Sequence, residues 1–288
     1  MDEPSFIAAL RSFPLHPGAR GLADDAAVLE VGGETLILTH DVMVEGVHYL
    51  ADQNMADVAW KLVAANLSDL AAKGAEPLGV LLGYQLGRND GAFLRGLGEA
   101  LEAFAVPLLG GDTVAGQTTR SFGLTAIGRA THTPVPERRG TEAGDAIYVT
   151  GELGRAMLGF EALRDGTGGD SLAYRRPRPL LAEGRALAPL VSAMMDVSDG
   201  LLLDCWRMAR ASGVSFRLDN RAFPVADTIR PDACIRWGDD YQLLFTAPPS
   251  LDLPVPATRI GIVTSETSAA LWVDGKALGP QDGLGYTH

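Results

Sequence analysis

Lysine is the scarcest charge in this chain. Lys61, Lys73 and Lys276 are the only three in 288 residues, and 36 acids against 24 basic residues leave a formal net charge of -12. A nucleic-acid partner requires a basic surface to displace counterions, so this balance argues against one. The two cysteines, Cys205 and Cys234, form no CxxC pair. They suggest neither a zinc site nor a disulfide framework and fit a reducing cytoplasm. No apolar run is long enough for a bilayer, and Met1 is followed by Asp2 and Glu3 rather than basic residues. Neither a membrane span nor a signal peptide is therefore expected. Also missing are the GxxxxGK-S/T phosphate loop, a GxGxxG after a strand, HExxH and GxSxG, which removes the common nucleotide, zinc and serine-hydrolase templates.

What is present is an ordinary globular composition, 47% hydrophobic and 21% charged, with length enough for two domains. Leu36-Ile37-Leu38 reads as a buried strand, with Thr39, His40 and Asp41 emerging at its carboxyl end, where ligand chemistry collects in α/β sheets. Residues 57–73 carry helical periodicity, with Gly74 as the stop. Strands are expected at 78–86, 106–109, 121–130, 145–150, 214–219, 242–247, 259–263 and 270–273, and helices at 90–104 and 201–211. The Pro-, Arg- and Gly-rich stretch 131–144 marks a boundary. Two mixed α/β domains follow, residues 1–135 and 136–288.

The chemistry lies in acids beside small residues at element ends. Asp24-Asp25 precede a strand, and Asp41 follows one. Asp69 sits on the helix with Asn66 and Lys73 at spacings of three and four. Asp112 lies in Gly110-Gly111-Asp112-Thr113, and Asp196, Ser198 and Asp199 cluster before a helix. Each has a plain structural reading: a turn, an i,i+4 pair between Asp69 and Lys73, or a cap. Five clusters in one chain point instead to like charges converging on divalent cations, since a phosphate site without them would repel its ligand. Mg²⁺ suits carboxylates and phosphate oxygens together.

Taken together, GLADD at residues 21–25, DxxVEGVH at 41–48, NLSDLAAKGA at 66–75, GGDT at 110–113 and DVSDGL at 196–201 resemble the thiamine-monophosphate kinase family. That family belongs to the aminoimidazole ribonucleotide synthetase-like superfamily. The resemblance runs from about residue 20 to the C-terminus and is specific as a set. It implies two α/β domains of that type, with N-terminal sheets of two chains pairing into a homodimer. The implied reaction transfers the γ-phosphoryl group of ATP to thiamine monophosphate with several Mg²⁺ ions, in the cytoplasm.

Carried over by motif, the metal positions are Asp24, Thr39, His40, Asp41, Asp69, Asp112, Asp196 and Asp199. Asp41, Asp112 and Asp199 are assigned to the catalytic centre. Gly111, Asp112, Arg138 and Ser198 fall at ATP positions, with Arg139 as the alternative to Arg138. His48, Asp239 and Tyr286 fall at substrate positions, where the Tyr286 ring offers a stacking face. The family usually has a hydroxyl residue where His40 stands, Gly where Ala23 stands, and Glu where Asp239 stands. Two alternatives remain: another enzyme of the superfamily that activates an oxygen as a phosphate, and a non-catalytic ATP or thiamine-phosphate binding protein. The absence of an N-terminal Cys and the ending Thr287-His288 stand against two of the superfamily's other members.

Overall fold

A computed structural model of the chain describes residues 2–116 and 119–287. His288, noted in the sequence, lies outside them. The first half runs α1 (Glu3–Leu10), β1 (Ala27–Val31), β2 (Glu34–Val44), α2 (Met55–Ala72), β3 (Ala75–Leu86), α3 (Asp90–Ala103), β4 (Leu108–Ala115) and β5 (Ser121–Ala130). The second runs β6 (Ala146–Val149), α4 (Arg155–Arg164), α5 (Leu172–Arg175), α6 (Leu181–Leu187), β7 (Ala193–Asp196), α7 (Leu201–Ser212) and β8 (Ser215–Leu218). It then continues through α8 (Pro231–Trp237), β9 (Leu243–Ala247), β10 (Thr258–Thr264), β11 (Leu271–Val273) and β12 (Lys276–Leu278). The strands form one sheet in the order β1-β2-β5-β3-β4 and another in the order β12-β11-β8-β10-β6-β9-β7.

Helix α2 is the hinge of the architecture. Asn54 caps its first turn by accepting the Ala56 amide. Nearly every residue of the helix is buried, including Lys61, Asn66 and Ser68. A helix apolar on one stripe would cover one sheet; this one is buried all round because it also meets α6 and β7 of the second half. Its polar residues are consequently inside the molecule and must find partners there.

Two stretches differ from the sequence reading. β2 does not stop at Leu38 but continues to Val44, so Thr39, His40 and Asp41 are mid-strand. Pairing to β1 ends at Leu38, and backbone pairing to β5 alone, continuing to Val44, sustains the strand through its polar residues. The period of two then splits them. Thr39 and Asp41 share the helix-covered face with buried Ile37 and Met43, while His40 and Val42 point to the open face. Likewise the GGDT stretch is not a loop after a strand but part of β4, paired parallel to β3. A Cβ at Gly111 would lie 1.9 Å from the Leu82 carbonyl oxygen, so this close strand approach itself requires glycine.

Candidate functional site

A cavity of about 490 Å³ between the two halves is lined by seven carboxylates: Asp24, Asp25, Asp41, Asp69, Asp196, Asp199 and Asp239. Asp24 and Asp25 enter just before β1, Asp41 from β2, and Asp69 from the last turn of α2. Asp196 is the final residue of β7, and Asp199 lies in the loop before α7. Oxygens of Asp25, Asp69 and Asp196 come within 4.8 Å of one another. Three converging carboxylates make an all-oxygen donor set that suits a hard divalent cation.

The neighbours of these acids differ. Lys73, fully buried, reaches Asp24 at 2.5 Å and Asp25 at 2.6 Å rather than pairing with Asp69. Arg20 holds the other oxygen of Asp24 at 2.5 Å, and Arg138 meets Asp25 at 2.5 Å. Burial pushes the Asp24 carboxyl up, but Lys73 and Arg20 outweigh it and hold Asp24 below the usual carboxylate range. Asp69 instead accepts a short hydrogen bond from the Thr39 hydroxyl, and Asp196 accepts one from Ser68 at 2.6 Å. Asn66 accepts the Asp41 backbone amide at 3.1 Å. Among the described residues no lysine or arginine pairs with these three, and burial and neighbouring acids raise Asp41 to about 6, Asp196 to about 8, and Asp69 well above its ordinary value.

The loop before α7 is held from beneath. Asp204, fully buried, accepts the Ser198 and Asp199 amides at 3.2 Å each, and Arg207 pairs with both Asp199 and Asp204. Burial, opposed by Arg207, raises Asp204 to about 7. Facing it, Asp239 and Tyr241 both take left-handed backbone conformations, at φ 57 and 50. Such strain persists where surroundings over-determine it. Here the Asp239 and Tyr241 amides donate to the Ser198 and Val197 carbonyls, and a Cβ at Gly238 would sit 2.3 Å from the Ser198 oxygen.

A second cavity, about 220 Å³, adjoins the first and is walled by Phe160, Tyr174, Trp237 and Tyr286. His48, Ser198, Asp199 and Asp239 line both. The Val44 amide donates to Nδ1 of His48 at 3.0 Å, which leaves the proton of the neutral ring on Nε2.

Most of the residues singled out from sequence thus meet here. Asp24, Thr39, Asp41, Asp69, Asp196 and Asp199 gather around the acidic cavity, with Arg138 and Ser198 beside them. His40 lines its edge from the open sheet face, its Nδ1 2.8 Å from the Thr125 hydroxyl. His48, Asp239 and Tyr286 meet at the aromatic cavity. Arg139 is exposed and pairs with Glu137 instead. Gly111 and Asp112 lie elsewhere in the chain. On β4, Asp112 registers with Gly83, that residue with Gly123, and Gly123 with Val42, which puts Asp112 on the sheet face opposite Asp41. Sequence reasoning named Asp25 and Lys61 without giving either a place in the site, and passed over Asp204 and Arg207. Asp25 was visible as the neighbour of Asp24, and Lys61 as a lone cation in an apolar helix.

The fold and this inter-domain acidic cavity define a family. Residues 23–130 match the model of the AIR synthase related protein N-terminal domain, and residues 142–274 that of its C-terminal domain. The chain belongs to the AIR synthase related proteins and, within them, to the thiamine-monophosphate kinase family. A thiamine-monophosphate kinase of Escherichia coli is 34% identical over 93% of this chain and 91% of its own length. One from Caulobacter vibrioides is 36% identical over 87% and 78%. Among solved structures, one described as "AaThiL complexed with AMPPCP and TMP" has 26% identity and a TM-score of 0.88, covering 100% of this chain and 97% of the other.

Proposed function

We propose that this chain transfers the γ-phosphoryl group of ATP to thiamine monophosphate, giving thiamine diphosphate and ADP. The observation that carries the reading is the junction of the two cavities at His48, Ser198, Asp199 and Asp239. A substrate with a ring system at one end and a phosphate at the other fits such a pair, rings among the aromatics and phosphate toward the acids. The relatives' name, and the AMPPCP and TMP in the similar structure, support it.

The acceptor oxygen is already anionic, so the reaction needs little base catalysis and much positioning. Asp25, Asp69 and Asp196, with Asp41 and Asp199 beside them, would hold Mg²⁺, and Asp24 and Thr39 would brace that set. Bound Mg²⁺ would neutralise charge on the phosphates. Arg138 and Ser198 would orient the nucleotide, and Tyr286 and Asp239 the thiamine portion. The roles of His40, Gly111 and Asp112 rest on motif alone. A homodimer belongs to the same proposal, because β4 is exposed along its whole length and offers Leu108, Leu109 and Val114 to a partner. Light scattering would then return twice the 30.4 kDa chain mass.

Phosphorus NMR of the protein with ATP, Mg²⁺ and thiamine monophosphate tests the function. Thiamine diphosphate should appear only when all are present. A folded protein that binds ATP yet makes none would sink the reading.

A further inference from the structure

Lys61 is a lysine with 1% exposure in the middle of α2, and the acidic cavity does not use it. Its ammonium makes three contacts. It pairs with Oδ2 of Asp239 at 2.7 Å, donates to the His48 carbonyl at 3.2 Å, and lies 4.0 Å from the centre of the Tyr174 ring. The Tyr174 hydroxyl donates to the same His48 carbonyl at 3.2 Å, and the Tyr241 hydroxyl donates to Oδ1 of Asp239 at 3.0 Å. The three residues touched by Lys61 all line the aromatic cavity. They come from different elements: the turn after β2, α5, and the strained loop before β9.

A buried ammonium costs several kcal/mol unless its partners are well placed. This one spends all its contacts on a single wall. It also offsets the charge of Asp239 and covers one aromatic face. We infer that Lys61 is a positioning residue for the thiamine-phosphate pocket. Its ammonium fixes His48, Tyr174 and Asp239 as one wall across the two halves of the chain, and makes Asp239 an oriented acceptor rather than a free charge. The inference rests on the substrate reading above and adds to it how substrate recognition is built.

The test is calorimetric titration of thiamine monophosphate into the full-length protein, with KM measured for both substrates. Lys61→Met should weaken thiamine monophosphate binding about tenfold and raise its KM alike, while the KM for ATP moves much less. Lys61→Arg should recover part of the loss. Lys61→Met combined with Asp239→Asn should bind no worse than the weaker single variant, because both act through one contact. Should Lys61→Met not fold, Lys61→Gln, which keeps a donor and drops the charge, gives the same reading. A folded variant that binds thiamine monophosphate as the native protein does overturns the inference. So does an equal rise in both KM values, the mark of a purely structural lysine. Native protein that bound no thiamine monophosphate would instead sink the substrate reading, and this inference with it.

Discussion

Asp24 and Asp25 occupy one side of the acidic cavity with Lys73, Arg20 and Arg138 against them. On the other side Asp69 and Asp196 have hydroxyl and carboxylate neighbours and Asp41 an amide, carboxylates and the His40 ring, and among the described residues no lysine or arginine pairs with them. The two sides solve the same electrostatic problem differently. Fixed cations offset the charge of the first side, so it can anchor the segment before β1 to α2 and β7, and Asp25 alone of this pair reaches the cluster with Asp69 and Asp196. The second side is left with a deficit of positive charge that raises its carboxyls. A site of this kind is completed by a cation that comes and goes with its nucleotide.

Asp41→Asn probes the unbalanced side and should give the largest effect. We expect kcat/KM to fall about 10³-fold, roughly 4 kcal/mol of transition-state stabilisation, while the metal-free protein keeps or gains thermal stability. Loss of rate and gain of Tm in one variant is the signature of a charge kept for binding. A near-normal rate at saturating Mg²⁺ would remove Asp41 from the site and blur the two sides.

Lys73→Met probes the balanced side and should reverse the pattern. It removes the one fully buried cation shared by Asp24 and Asp25 and leaves them Arg20 and Arg138, and breaking a buried pair in this way costs about 3–5 kcal/mol. Urea denaturation measures it directly. A loss below about 1 kcal/mol, typical of exposed pairs, would mean that Asp24 and Asp25 are not anchored by this lysine.

The two sides also respond oppositely to pH. Asp41 and Asp196 rise from 3.8 to about 6 and about 8, so between pH 4 and 8 the folded chain holds protons that the unfolded chain has released. Metal-free stability should therefore fall as pH rises through that window. Asp24 is depressed, and its contribution is present above 3.8 and lost only as pH falls below it. Mg²⁺ needs the carboxylates ionised, so the Tm increment from saturating Mg²⁺ should be larger at pH 8 than at pH 6, by a few degrees. Scanning calorimetry at the two pH values, with and without Mg²⁺, decides it. An increment independent of pH would remove Asp41 and Asp196 from the cation's ligands.

Much of this was legible in the residues, and what was hidden has a common cause. Acids beside Ala, Ser or Gly marked Asp24, Asp69 and Asp199, and acids following apolar strand-like runs marked Asp41 and Asp196. The partners of those acids were not legible. Helical spacing offered Asp69 to Lys73, but α2 is wrapped on all sides, and Lys73 turns to Asp24 and Asp25, which are 49 and 48 positions away in the chain. The length of β2 was hidden too, because polar Thr39, His40 and Asp41 look like a strand end, as they are for the pairing with β1, until β5 is seen to pair on through them. Lys61 announced itself only as an oddity; its meaning came from Asp239, distant in sequence and adjacent in space.

His48 stands where the unbalanced side meets the aromatic cavity, so His48→Ala draws the line between them with the smallest expected effect. Its backbone carbonyl, which Lys61 and Tyr174 both reach, survives the substitution, and only the ring is lost. The KM for thiamine monophosphate should rise a few-fold, about 1 kcal/mol, with a smaller change for ATP and no change in the Mg²⁺ concentration needed for half-maximal rate. Steady-state kinetics with each component varied in turn separates these. If the Mg²⁺ requirement shifts instead, His48 belongs to the cation side. An equal effect on both substrates would contradict its place at the thiamine end.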